Sequence, residues 1–361
     1  MRIFRYFYHG LTLFYLPNKV HILVIRLSAM GDVAMTVPVL RALSQQHPNL
    51  KITVVSKAFL KPLFAALNNV HFFAADVKGK HKGIMGLHKL YKELKQLDIT
   101  HIADLHNVLR SKIVRTFFAF SHQNIAVLDK GRTEKKALTS ATNKVLKQLK
   151  TTHQRYADVF DELGFQTNIS SIQKLKKSPL LKKVQKIVKE KSSPWIGIAP
   201  FAAYDTKMYP FNLMKEVIEE LAKNNRIFLF GGGQEEIDKL KVVEQDTPNC
   251  ISIAGILNLQ EELNLISQLD CMVAMDSGNA HFAAMLEIPT ITIWGATHPY
   301  AGFAPFNQPN GNCLLPDMKK YPLLPTSIYG NKVIEGYEDV MQTISPKTVI
   351  KKVLTVLKTN S

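Results

Sequence analysis

The spacing of apolar and polar residues changes repeatedly along the chain. Short β-branched or aromatic runs occur at HILVIR (21–26), KITVVS (51–56), HFFAA (71–75), THIADL (100–105) and NIAVL (124–128). Between them lie stretches that read as helices: Val33 to Gln46 with Pro38 tolerated early, then 58–67, Met85 to Leu97 and 108–119. Short strands separated by longer helices predict βαβ units and a parallel sheet. Helical stretches near 134–149 and 153–163 close this half.

After Pro194 the alternation restarts. WIGIA (195–199), RIFLF (226–230), ISIAG (251–255), CMVAM (271–275) and TITIW (290–294) read as strands. Helices are expected over 211–223, 234–245, 259–268 and 279–286. Two α/β halves of similar size predict twin Rossmann-like domains facing a cleft, with ligands outside the carboxyl ends of the strands.

This divides the chain into a basic aromatic segment (1–20), a first Rossmann-like domain (21–175), a Lys-rich linker (176–193), a second domain (194–335) and a helical tail (336–361). Within 171–191, eight lysines face one glutamate, and Leu180, Leu181, Val184, Ile187 and Val188 share one helical face. The first twenty residues mix arginine with phenylalanine and tyrosine but have no long apolar centre. They read either as a segment in a bilayer interface or as a helix packed on the domain.

Composition narrows the partners. Hydrophobic residues at 46% and charged residues at 21% exclude wholesale disorder. Forty-six basic against 29 acidic residues give a net charge of +17, which suits nucleic acid, an anionic membrane or a phosphorylated substrate. No aromatic-interleaved RNA motif, zinc finger or helix-turn-helix supports nucleic acid, so none is expected as a partner. Three cysteines without metal-like spacing argue against a disulfide framework and for a reducing, cytoplasmic compartment.

The chemistry should lie in the strand-to-helix loops. Gly31 permits a tight turn after the first strand, and Asp32 stands at the mouth of a helix facing the cleft, as an N-cap or as a reacting carboxylate. Thr206 and Lys207 precede a helix and could hold a diphosphate. Gly231-Gly232-Gly233 lead into Glu235 and Glu236, either of which could accept from a ribose or simply favour a first helical turn. In DSGNAH (276–281), small residues between strand and helix offer backbone N–H groups to a phosphate, with His281 in the first turn. No G-x-S-x-G elbow surrounds Ser277, and the histidines lack H-E-x-x-H pairing.

Three segments, ILVIRLSAMGDVAMTVPVLRAL (22–43), IGIAPFAAYDTKMYP (196–210) and MDSGNAHFAAMLEIPTITIWGATHP (275–299), together resemble glycosyltransferase family 9, the lipopolysaccharide heptosyltransferases. Order and spacing match over about residues 21–300. The resemblance implies a GT-B fold, with an acceptor-binding first half and a nucleotide-sugar-binding second half. By position it makes Asp32 the general base and Thr206 and Lys207 phosphate contacts. Glu235 becomes the ribose acid, Leu257 lies near the base, and Asp276, Ser277, Gly278, Asn279 and His281 form the donor loop.

It further implies inverting, metal-independent transfer with no cofactor beyond a nucleotide sugar, ADP-heptose being the expected donor. The acceptor would be an anionic lipopolysaccharide-core or lipid-linked sugar at the inner face of the cytoplasmic membrane. Gly31, Asp104, His106, Arg110, Lys130, Arg132, Lys135 and Arg155 are its candidate contacts. Ala202, Ala203 and Tyr204 replace the family's polar loop, and the tail 301–341 differs from its better-known members. A nucleotide-sugar epimerase, a silent sugar-nucleotide binder and a basic nucleic-acid-binding protein are the competing classes.

Overall fold

The computed structural model describes residues 20–119, 123–175, 177–188 and 190–360. The expected basic aromatic segment lies outside the described residues, Val20 excepted. Five parallel strands build the first sheet: β1 (His21–Ile25), β2 (Lys51–Ser56), β3 (Val70–Ala74), β4 (His101–Asp104) and β5 (Asn124–Val127), in the order β3-β2-β1-β4-β5. Six build the second: β6 (Trp195–Ala199), β7 (Arg226–Leu229), β8 (Cys250–Ser252), β9 (Cys271–Met275), β10 (Thr290–Ile293) and β11 (Cys313–Leu314), in the order β11-β10-β9-β6-β7-β8. All are parallel.

β1, β6 and β9 are central and buried throughout, which is why they read as continuous apolar runs rather than alternating ones. In each sheet the order reverses at the first strand, β1 or β6, so the loops after β1, β4, β6 and β9 open on one crevice.

Local chemistry redraws several expected boundaries. The first helix starts at Met30 rather than Val33, ends at Ala34, and a second runs Thr36–Gln46. Pro38 falls in that second helix's first turn, where its missing N–H costs nothing. The expected helix at 58–67 is a 3-10 segment, Ala58–Phe64, holding Pro62. The stretch 134–149 is helical only over Arg132–Leu138; beyond it the chain leaves to meet the second lobe, Leu149 donating its N–H to the Tyr300 carbonyl at 2.9 Å.

The lysine-rich stretch forms one short helix, Lys182–Val188, whose Val184 and Val188 are buried. It is tied to the helix Leu259–Ile266 by Leu181 N–H to Asn264 Oδ1 (2.8 Å) and by Lys183 to Glu261 (2.9 Å). The last helix, Pro346–Asn360, buries Val349 and Val353 in the second lobe's core beside Val217 and Ile218. Tyr209 anchors the approach to it, donating to the Ile344 carbonyl at 2.6 Å.

Two of the contacts between the lobes frame the crevice. On one side Arg41 pairs with Glu287 at 2.7 Å. On the other, the helix Met30–Ala34 lies against the helix Gly278–Met285 so closely that a Cβ on Gly31 would stand 2.8 Å from the His281 ring. Here glycine is required by approach, not by backbone angle. Among the described residues no helix is long and apolar enough to cross a membrane. Cys250, Cys271 and Cys313 are all free thiols.

Candidate functional site

Two cavities open at the carboxyl ends of the strands. The larger, about 460 Å³, is floored by the loops after β6, β7 and β9 and roofed by Ala29–Asp32 from the first lobe. The smaller, about 150 Å³, lies mainly on the first lobe's side, among Arg26, His106, Lys130, Lys135 and Arg155. Four residues line both: Ala29, Asp32, Phe303 and Tyr329.

Asp32 is not an N-cap. Ala29 holds that position, and Asp32 sits three residues on, in the first turn, where its Oδ2 accepts the Ala29 N–H at 3.1 Å. The same oxygen receives Arg26 Nη2 at 2.7 Å. Arg26 is buried, and its Nη1 donates to the Leu105 carbonyl at 2.7 Å, so the guanidinium is fixed from two sides. With Oδ2 doubly engaged, Oδ1 is the oxygen left to accept a proton. Arg26 was absent from the sequence candidates; the available signal was an arginine ending an apolar strand at the ligand edge of a parallel sheet.

In the larger cavity Lys207 and Asp276 face each other, Nζ to Oδ2 at 2.8 Å, both largely buried. Thr297 also donates to Asp276 Oδ2, at 2.8 Å. Asp276 is therefore held as the partner of Lys207 rather than as a free carboxylate. The ammonium keeps further N–H donors for a ligand. Ser277 Oγ and His281 Nδ1 are buried with no hydrogen-bond partner, a state that costs about 1–3 kcal/mol each unless something polar arrives. Burial lowers the His281 pKa from its ordinary value, so the ring is neutral. Gly278 and Asn279 line the same wall, at the amino end of their helix.

Three expected donor contacts stand elsewhere. The Thr206 hydroxyl donates to the Gly330 carbonyl, a tie across 124 residues that no local pattern announces. Gly330, at φ +80°, has no Cβ to collide with the Lys207 stem, so this tie and the glycine together aim the lysine. Glu235 points outward and pairs with Lys239 at 2.7 Å; its neighbour Glu236 lines the cavity, accepting the Gly232 N–H at 2.7 Å. Helical geometry separates the two acids by about 100°, and only one can face inward. Leu257 is packed in the core.

Of the expected acceptor contacts, His106, Lys130, Lys135 and Arg155 meet in the smaller cavity, whereas Gly31 lines the larger one. Asp104 does not join them: fully buried, it accepts the N–H groups of His106 and Asn107 and pairs with Arg115 at 3.0 Å. Arg110 and Arg132 are exposed and line neither cavity. Arg155 is engaged by Glu134 and by Asp129 (3.4 Å). Among the described residues no carboxylate forms an ion pair with Lys130 or Lys135. Lys135 instead rests 4.3 Å from the centroid of Phe303. Burial pushes the Lys135 ammonium down to about 8 and, with neighbouring cations, His106 down to about 3.

Phe303 and Tyr329 also escaped the sequence reading. They come from the segment after β10, which crosses to the first lobe through Thr152 N–H to the Gly302 carbonyl (2.8 Å) and Lys144 to the Pro325 carbonyl (3.0 Å). Nothing local in an aromatic residue of an irregular stretch marks it as cavity wall. Among the described residues no three His, Cys, Asp or Glu side chains converge as a metal site would need.

The fold matches solved structures along nearly its whole length. A glycosyl transferase family 9 protein from Veillonella parvula superimposes with a TM-score of 0.73 at 19% identity, covering 94% of this chain and 98% of that one. Escherichia coli ADP-heptose LPS heptosyltransferase II does so with a TM-score of 0.65, again at 19% identity, covering 94% and 99%. Both likenesses carry the two-lobed GT-B architecture.

In sequence, the chain is 27% identical over 301 residues to lipooligosaccharide heptosyltransferase 2 of Haemophilus ducreyi, covering 77% of this chain and 84% of that protein. It is 26% identical over 303 residues to lipopolysaccharide heptosyltransferase 1 of Campylobacter coli, covering 77% and 85%. The family model for glycosyltransferase family 9 (heptosyltransferase) matches residues 87–327. That match spans the loops after β6, β7 and β9, which build most of the larger cavity, and the chain belongs to glycosyltransferase family 9.

Proposed function

We propose that this glycosyltransferase moves heptose from ADP-heptose onto an anionic sugar of a lipopolysaccharide core or related lipid-linked acceptor, in one inverting displacement with Asp32 as general base. What carries the reading is that Asp32 belongs to the walls of both cavities, where a donor in one and an acceptor in the other would meet. The choice of heptose and ADP follows the relatives, several of which are heptosyltransferases and one of which is the Escherichia coli ADP-heptose LPS heptosyltransferase II.

An acceptor hydroxyl is a poor nucleophile, and Asp32 Oδ1 would take its proton as the new glycosidic bond forms. Arg26 fixes Oδ2, so that only one oxygen is presented. The bond between the sugar and the diphosphate breaks on the opposite face, and its electron pair leaves with the nucleoside diphosphate. Lys207 and the amides beginning the helix Gly278–Met285 would meet that charge, while Asp276 holds the lysine in place. Glu236 is placed to accept from a ribose. Lys130 and Lys135, lacking carboxylate partners, would take a phosphate or carboxylate of the acceptor, and about 150 Å³ suits one such group.

The test is a thermal-shift panel of ADP-, UDP-, GDP- and CMP-sugars, followed by product analysis with a core oligosaccharide acceptor. ADP-heptose should raise the melting temperature most and be consumed only when acceptor is present. A donor converted to an isomer without acceptor would replace this reading with an epimerase, and a ligand bound but never altered would leave a silent binder.

A further inference from the structure

The helices Gly83–Lys95 and Leu109–Ala119 follow β3 and β4 and pack side by side, through His88 against Phe117 (5.2 Å between ring centroids) and Tyr91 against Phe118 (4.8 Å). Because both strands are parallel members of one sheet, both helices start at the same edge, the one that carries Asp32 and His106. Their first turns break the usual pattern of an amphipathic helix. Ile84 is 68% exposed, Met85 88% and Leu109 73%.

These side chains are held out by a rigid platform. Asp76 accepts the N–H groups of Gly79 and Lys80 at 2.9 Å each, and a Cβ on Gly86 would strike the His81 backbone at 2.4 Å. The surroundings are mostly cationic, although Asp76 is exposed beside them and Lys80 is paired with Glu93 at 2.7 Å. No aspartate or glutamate occurs between residues 77 and 92 or between 105 and 128, while Lys78, Lys80, Lys82, Lys89, Arg110 and Lys112 are all exposed.

We propose that the first turns of these two helices are a membrane-docking surface for an anionic bilayer, Ile84, Met85 and Leu109 entering the acyl boundary while the surrounding cations meet lipid phosphates. Large exposed aliphatic side chains ringed by cations combine the two attractions that such an interface offers, and neither alone would hold a protein there. A second copy of this chain would bring one cationic rim against another and is disfavoured by charge. The surface takes its orientation from the acceptor reading above, since it stands beside His106 on the lobe assigned to the acceptor. Its test does not use transfer activity.

The experiment is co-sedimentation of the full chain with vesicles of phosphatidylglycerol and phosphatidylethanolamine. The Ile84→Asp/Met85→Asp/Leu109→Asp variant should bind at least tenfold more weakly, and 0.5 M salt should weaken the parent protein. In a second measurement, Met85→Trp should be quenched by vesicles with brominated acyl chains. Native Trp195 and Trp294 are buried and give little background. An unchanged triple variant would assign membrane binding to another segment and overturn the proposal. Equal binding to neutral phosphatidylcholine, an unquenched Met85→Trp, or a self-association that the triple substitution abolishes would do the same. An ADP-induced thermal shift retained in every variant shows that the fold survives. Loss of that shift in the parent would count against the donor reading and leave the docking surface standing.

Discussion

The two cavities hold their positive charge in opposite ways. In the larger, the one buried cation is already matched, Lys207 against Asp276, and the remaining attraction comes from backbone N–H groups and unsatisfied side-chain atoms. In the smaller, Lys130 and Lys135 have no carboxylate partner, and burial has driven one ammonium down to about 8. A screened, amide-lined site can bind a diphosphate and still release the nucleoside diphosphate. A site with excess buried charge instead demands an anion and discriminates strongly against neutral acceptors.

The sharpest way to break this comparison is at Asp32, the one carboxylate among the four residues that line both cavities. Asp32→Asn keeps the shape and should lower the transfer rate by about 10³-fold or more, with ADP affinity within twofold of the parent by calorimetry. If affinity and folding fall together, Asp32 is a structural residue. Lys207→Met comes next, with a loss of about 10²-fold in kcat and weaker donor binding. It also strands Asp276, so the melting temperature should drop by several degrees, corresponding to about 3 kcal/mol. Lys207→Met/Asp276→Asn should recover that stability without recovering the rate.

Gly31→Ala tests the contact that brings the cavities together. A Cβ 2.8 Å from the His281 ring must push the lobes apart, and transfer should fall by about tenfold with both substrates still binding. Tyr329→Ala should raise the acceptor KM severalfold and weaken ADP binding less, because the ring closes the smaller cavity from the second lobe's side and only edges the larger one.

The smallest effect sharpens the contrast through pH. On the proposed reading the Lys135 ammonium would bind the acceptor anion only while protonated, and with a pKa of about 8 its charge is lost as pH rises through that value. The acceptor KM should therefore climb severalfold between pH 7 and 9. Lys135→Met should start high and stay flat, and the donor KM should show no such step. A bound anion raises the lysine's pKa, so saturating acceptor should move the step upward.

Much of this was present in the chain. The alternation of β-branched runs and helices predicted two parallel sheets, and the loops singled out after β1, β6 and β9 line the larger cavity. A loop at the carboxyl end of a buried parallel strand is where a GT-B ligand sits, and the apolar runs mark those strands. Asp32, Lys207, Ser277 and His281 were legible because each lies within a few residues of such a strand end.

What tertiary structure alone decided are the pairings between distant segments. Nothing near Asp276 tells that it neutralises Lys207, nor near Thr206 that its hydroxyl is committed to Gly330. The choice between Glu235 and Glu236 turned on helix rotation. Phe303 and Tyr329 became walls because their segment crosses to the other lobe. Local sequence sets backbone propensity and the period of burial, which act over a few residues. Which charge meets which across a cleft depends on how two separately folded sheets are brought together, and that is settled by contacts far apart in the chain.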